Sequence, residues 1–210
     1  MLKMINKFGV DFERMRSQHL SGDVTRFQFT SKRKKMSTIL KNVSGCENGT
    51  DLRLHSKGAA EIVLATCTHF IDQDGSKQVM TDEKKSSLLE VIEGFARGAL
   101  RTICLAYKDL SPNEGGPEHD DQDEKGNNIV EKTNMVCIAI LGIRDIIRPE
   151  VPEAVRKCQG AGVQVRMVTG DNKITALAIA KECNIVREGD NMEMAVMEGK
   201  EFNDYVGGLI

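Results

Sequence analysis

Residues 135–185 read MVCIAILGIRDIIRPEVPEAVRKCQGAGVQVRMVTGDNKITALAIAKECNI, and the order of elements in this stretch decides the fold. The apolar run Met135 to Ile143 reads as a strand of a parallel sheet, and Arg144-Asp145 leads out of it. A helix is expected from about Pro149 to Gln159, with Val151, Ala154, Val155 and Cys158 facing inward and Gly160 and Gly162 ending it. The run Val163 to Val168 reads as a second strand, followed by the turn Thr169-Gly170-Asp171-Asn172 and a second helix carrying Ile174, Leu177, Ala178 and Lys181. Strand, helix, strand, polar turn, helix is a doubly wound unit, and such sheets bind ligands at the carboxyl ends of their strands. Asp145 and Asp171 both fall at such ends.

Upstream, the texture is that of an α+β domain. Residues 109–131 hold Pro, Gly, Asn and eight carboxylates with almost nothing to bury, and read as a mobile acidic surface loop. Asp120-Asp121-Gln122-Asp123-Glu124 lacks the alternating ligands and central glycine of a calcium loop, so a solvated charge run is the better reading. Arg101 to Tyr107 reads as a strand, preceded by a helix with Thr81 as N-cap and Leu88, Leu89, Ile92 and Phe95 as its apolar stripe, ending near Gly98. Leu52 to His55 reads as a short strand, with Lys57-Gly58 opening a helix that buries Ile62, Val63 and Cys67. Val24 to Thr30 and Met36 to Asn42 read as strands joined by the basic turn Lys32-Arg33-Lys34-Lys35, and Leu2, Ile5 and Phe8 as the tail of a helix. The expected division is therefore 1–142, incomplete at its N-terminal edge, and 143–210, with an α/β class overall.

Composition narrows what the chain does. With 210 residues, 40% of them hydrophobic, it is long enough for a buried core, and 29 basic against 31 acidic side chains give a net charge of −2. No overall field draws it to nucleic acid or to an anionic membrane. Met135 to Ile143 falls far short of the ~20 apolar residues that span a bilayer, and the N-terminus has no signal-peptide character. Cys46, Cys67, Cys104, Cys137, Cys158 and Cys183 are widely separated, without metal-site spacing, and read as small buried hydrophobes in a reducing compartment. His19, His55, His69 and His119 show no partner that would make them ligands or bases.

Several local signals point to phosphate or purine recognition. Thr169-Gly170-Asp171-Asn172 sets a hydroxyl, an unhindered backbone N–H and a carboxylate at the start of a helix, which is anion-binding geometry and equally ordinary turn chemistry. At Lys57-Gly58, glycine admits a ligand to the backbone beside a cation, although most such lysines are merely solvated. Phe29, followed by Thr-Ser-Lys-Arg-Lys-Lys, pairs an aromatic face with positive charge, as a purine nucleotide requires, though a strand phenylalanine is more often core. Arg101 opens an apolar strand and would fork to a phosphate or a carboxylate.

In order along the chain, Phe29-Thr-Ser-Lys-Arg-Lys34-Lys-Met-Ser37, Ser56-Lys57-Gly58-Ala-Ala-Glu61, Leu100-Arg101-Thr-Ile-Cys-Leu-Ala-Tyr107, Asp145-Ile-Ile-Arg148-Pro-Glu-Val-Pro152 and Met167-Val-Thr169-Gly170-Asp171-Asn172 resemble P-type cation-transporting ATPases. The match covers their nucleotide-binding domain and the adjoining part of the phosphorylation domain, and looks most like the plasma-membrane-type, calmodulin-regulated calcium pumps. The resemblance implies a nucleotide-binding domain with an antiparallel sheet and helices over 1–142, then a partial doubly wound, haloacid-dehalogenase-like segment over 143–210. It implies that Phe29 stacks on adenine, that Lys57 and Gly58 line the adenine pocket, and that Lys34 meets the phosphate tail. Arg101 would bridge nucleotide and phosphorylation domain, Asp145 and Arg148 would lie at the hinge, and Thr169 and Gly170, with Asp171 beside them, would hold the transferring phosphoryl group. Ile146-Ile147 stands where the family commonly has proline, and Ser31 where some members have an arginine near the phosphates.

Neither Asp-Lys-Thr-Gly-Thr nor Gly-Asp-Gly-x-Asn-Asp occurs in the 210 residues. By the resemblance, the phosphorylated aspartate and the Mg2+ carboxylates lie outside this chain, so no catalytic or metal residue is assigned within it. The expected function is ATP binding without hydrolysis in a cytosolic, by itself soluble, piece of a calcium pump. The whole protein would sit in a plasma or vacuolar/endomembrane, with actuator and transmembrane domains as partners and calmodulin binding through a tail not included here. The rivals are a stand-alone nucleotide-binding module, a pump for another cation, and a soluble phosphatase of the same superfamily.

Overall fold

The computed structural model describes residues 2–19, 25–41, 43–47, 51–111, 114, 128–144 and 147–208. The chain forms two compact units, one from Met1–Lys85 and Ile103–Leu141, the other from Ser86–Thr102 and Gly142–Ile210.

The first unit begins with two short helices, α1 (Leu2–Lys7) and α2 (Phe12–His19). Strands β1 (Thr25–Phe27), β2 (Lys35–Leu40) and β3 (Arg53–Ala59) follow, then α3 (Ala60–Ala65) and the hairpin β4 (Cys67–Ile71) with β5 (Lys77–Val79). After α4 (Asp82–Arg97) come β6 (Leu100–Asp109), a 3-10 turn at Ile129–Glu131 and β7 (Met135–Arg144). The seven strands make one sheet in the order β1-β2-β3-β6-β7-β4-β5. It is mixed rather than antiparallel: β1, β2, β3 and β6 pair antiparallel, but β4 pairs parallel with β7.

Register assigns the faces. Ile39 opposite Leu54, Ser37 opposite Ser56, and Ala106 opposite Ser56 are all buried, so one face of β2, β3 and β6 looks into the core. Leu54, Leu64 and Leu110 are fully buried there, each contributing about 1.5–3 kcal/mol relative to exposure. The Ser37 and Ser56 hydroxyls hydrogen-bond across the strands at 2.9 Å, which satisfies two buried polar groups. The opposite face carries Arg53, His55 and Lys57 of β3 beside Asp109, Tyr107 and Leu105 of β6.

Two expectations for this part are corrected. Lys57 and Gly58 lie within β3, not at the start of a helix, because their backbone is paired with Met36 and Lys35 on one side and Leu105 and Cys104 on the other. Within the basic turn 32–35, which joins β1 to β2 as expected, Arg33 and Lys35 are buried. Of the proposed acidic loop, 112–113 and 115–127 lie outside the described residues, while its ends, Asp109 and Asn128 to Glu131, are anchored structure with Asn128 and Glu131 nearly fully buried.

The second unit contains most of α4, then α5 (Val151–Gly160), α6 (Lys173–Glu182), α7 (Met192–Ala195) and α8 (Gly199–Tyr205). Pro152 in the first turn starts α5, and Gly162, at φ +77°, follows its end in the left-handed region. The Asn172 side chain caps α6 by accepting from the Thr175 N–H at 2.8 Å. The expected strand Val163 to Val168 is absent: 163–169 form neither helix nor ladder, and Val168 is 97% exposed. A strand exists through the neighbour that accepts its hydrogen bonds, and among the described residues none pairs with this run. Two helices expected on either side of it, α5 and α6, do form.

Candidate functional site

Phe29 and Lys34 sit on the connection between β1 and β2. Phe29 is 58% exposed, so this strand-edge phenylalanine is not core. Lys34 is exposed and takes φ 51°, a left-handed conformation that costs a lysine about 1 kcal/mol or more. Its backbone is held at both ends. The Lys34 N–H donates to the Thr30 carbonyl at 2.8 Å, and its carbonyl accepts from the Ala59 N–H at 2.9 Å. The second bond stitches the connection to the end of β3, next to Lys57 and Gly58.

Gly58 is a close-approach glycine, but what approaches is this chain. A Cβ there would meet the Lys34 carbonyl oxygen and the Lys35 Cβ at 2.5 Å, both too near for any side chain. Lys57 is exposed on the opposite face, flanked in register by Met36 of β2 and Leu105 of β6. Two rows along, Arg53 lies 4.5 Å over the Tyr107 ring and forks to Asp109, with Nε to Oδ1 at 2.5 Å and the second nitrogen to Oδ2 at 3.1 Å. Burial raises the Asp109 carboxyl, but the Arg53 fork and the Glu47 N–H outweigh it and hold Asp109 below the usual carboxylate range.

A buried network beneath the connection was missed in the sequence. One Arg33 nitrogen reaches both Glu131 carboxylate oxygens, at 2.7 and 2.5 Å, and the other donates to the Gln28 carbonyl at 2.7 Å. The Lys35 ammonium lies 3.4 Å from the Glu131 carbonyl, and Asn128 and Glu131 cap each other in a capping box. The only signal that could have shown it was Glu131 beside Ile129 and Val130, an acid in an apolar setting at the end of a charged run.

A second set of residues lies within the second unit. The Arg101 Nε is 2.9 Å from Asp171, whose other oxygen accepts from the Thr169 hydroxyl at 2.8 Å. The Asp171 N–H donates back to the Thr169 hydroxyl at 3.1 Å, so Thr169-Gly170-Asp171 is a closed polar turn before α6. Thr169 and Gly170 are exposed, and open space surrounds the Gly170 Cα. Arg148 is exposed ahead of α5, and Asp145 lies outside the described residues.

Elsewhere in the first unit a polar cavity of about 220 Å³ is lined by Glu47, His69, Lys77, Tyr107, Lys108 and Asp109, among others. It includes none of the candidate residues, and its charges are mutually paired, Lys77 to Glu47 at 2.5 Å and Lys108 to Glu114 at 2.8 Å. Among the described residues no group of three His, Cys, Asp or Glu side chains is placed to hold a metal ion. Among them, too, no helix is long and apolar enough to cross a membrane.

A sequence model described as P-type ATPase, cytoplasmic domain N, matches residues 1–150. The chain is 46% identical over 178 residues to plasma membrane calcium-transporting ATPase 1 of Gallus gallus, covering 84% of this chain and 14% of that protein. It is 41% identical over 195 residues to plasma membrane calcium-transporting ATPase 3 of Homo sapiens, covering 92% of this chain and 15% of the relative. Against plasma membrane calcium-transporting ATPase 4 of Bos taurus, identity is 43% over 178 residues, 84% of this chain and 14% of that one. The chain thus spans about one seventh of the length of these relatives. With the matched model covering the whole β1 to β7 sheet, the chain belongs to the P-type ATPase family.

Proposed function

We propose that this chain is the ATP-binding part of a calcium-transporting P-type ATPase. Residues 1–142 act as the nucleotide-binding domain and 143–210 as a haloacid-dehalogenase-like part of the phosphorylation domain. One observation carries the reading. The β1–β2 connection presents an exposed aromatic, Phe29, and its following lysine, Lys34, is hydrogen-bonded through its carbonyl to β3 beside the exposed Lys57. An aromatic face takes a purine, and ammonium groups neutralise a phosphate tail.

In this reading Phe29 stacks on adenine, the Lys57 stem and Gly58 line the pocket, and Lys34 meets the phosphates. Arg101 is then a phosphate fork currently closed on Asp171. Arg148 and Asp145 mark the hinge, while Thr169, Gly170 and Asp171 receive the transferring phosphoryl group. ATP supplies the phosphoryl group, Mg2+ neutralises its charge when bound, and the aspartate that accepts it belongs to another part of the pump. The whole protein would export calcium across a plasma or endomembrane with this region cytosolic, in contact with actuator and transmembrane domains. Calmodulin would act on a separate tail.

The reading predicts ATP binding with a Kd of about 0.1–1 mM, or about −4 to −5.5 kcal/mol. Calorimetry of the 210-residue chain and of Lys57→Ala tests it. The substitution should weaken ATP by about 1–2 kcal/mol while leaving stability within about 0.5 kcal/mol. Equal ATP affinity in both proteins returns Lys57 to a solvated surface residue.

A further inference from the structure

Three thiols far apart in sequence meet in the core of the first unit. Cys67 opens β4, Cys104 lies in β6 and Cys137 in β7, on strands that neighbour one another in the order β6-β7-β4. All are buried, and the Cys104 and Cys137 sulfurs are 3.7 Å apart. The sulfurs are already in contact from neighbouring strands, and a disulfide would bring them to about 2.05 Å. We propose that Cys104 and Cys137 are a modification site, oxidised to a reversible cross-strand disulfide by hydrogen peroxide.

The two sulfurs are in contact, and either can donate its proton to the other. One sulfur of the pair, as its thiolate, attacks one peroxide oxygen, the O–O bond breaks, and a sulfenic acid forms as hydroxide leaves and takes up a proton. The other sulfur then attacks the sulfenic sulfur, the S–O bond breaks, and hydroxide leaves as water with the second thiol's proton. Two thiols lose two electrons in all, and one peroxide becomes two waters. Peroxide reaches the buried pair through local opening of the sheet, so the reaction is slower than oxidation of the exposed Cys158.

The test is peptide mapping of the folded 210-residue chain after hydrogen peroxide, alkylation of remaining thiols and trypsin digestion without reductant. The expected product joins Thr102–Lys108 to Thr133–Arg144, two hydrogens lighter than the sum, and disappears on reduction with dithiothreitol. It also forms in Cys46→Ser and Cys158→Ser proteins. In Cys104→Ser, Cys137 should instead be trapped by a sulfenic-acid reagent. Full alkylation of Cys104 and Cys137 on unfolding after peroxide, or a link that runs through another cysteine, overturns the proposal on the wild-type protein alone.

Discussion

Gly58 and Lys34 are the residues where backbone geometry is tightest. A Cβ at Gly58 would press on backbone and Cβ atoms of Lys34 and Lys35, which cannot swing aside as a side-chain tip would. Gly58→Ala should therefore cost about 2–3 kcal/mol and displace the start of β2, read as a lower urea midpoint at unchanged slope. An unchanged midpoint would mean that the two strands separate freely. That a glycine belonged at a close approach was legible beside Lys57. What approaches it was not, because the neighbour is chosen by the pairing of Lys35 with Gly58, a non-local register. Similarly, Phe29 has the residue type of a core strand, and only the end of β1 at Phe27 leaves it exposed.

At the level of elements, the β1–β2 connection is anchored through the Arg33 to Glu131 pair, which is 6% and 0% exposed. A buried pair is stabilising mainly in the sense that breaking it strands a charge. Glu131→Ala should cost about 3–5 kcal/mol, whereas Arg33→Met with Glu131→Leu should recover much of that, both measured by chemical denaturation. A Glu131→Ala cost under about 1 kcal/mol would show that water solvates Arg33 freely.

The β3–β6 pair has a pH signature. Asp109 has a lower pKa folded than unfolded, so its contribution is complete above the unfolded value of about 3.9 and is lost as pH falls through the folded one. Arg53→Met should flatten that part of the acid limb of a stability-versus-pH profile, and an unaltered limb would contradict it. Helices α4, α5 and α6 were readable from caps and 3.6-residue periodicity, as with Thr81 accepting from the Lys84 N–H. The hairpin β4–β5 went unread because Cys67 to Val79 alternates poorly. Val163 to Val168 misled because a strand-like composition cannot supply a pairing partner.

For the whole molecule, family membership rests on a match over 150 residues and on relatives at 41–46% identity, and the matched segment holds every strand of the sheet. Its motifs were legible because each is a short run with its chemistry intact. The assembly of Phe29 and Lys34 beside Lys57 needs the β2–β3 pairing, which no single run displays. The claim that this assembly is an ATP site is tested most directly by an NMR titration of the labelled chain with ATP. The account predicts saturable chemical-shift changes at Phe29, Lys34, Lys57 and Gly58, half-complete at about 0.1–1 mM. No shift at Phe29 or Lys57 at several-fold higher ATP, or shifts confined to residues remote from the β1–β2 connection and β3, would contradict it.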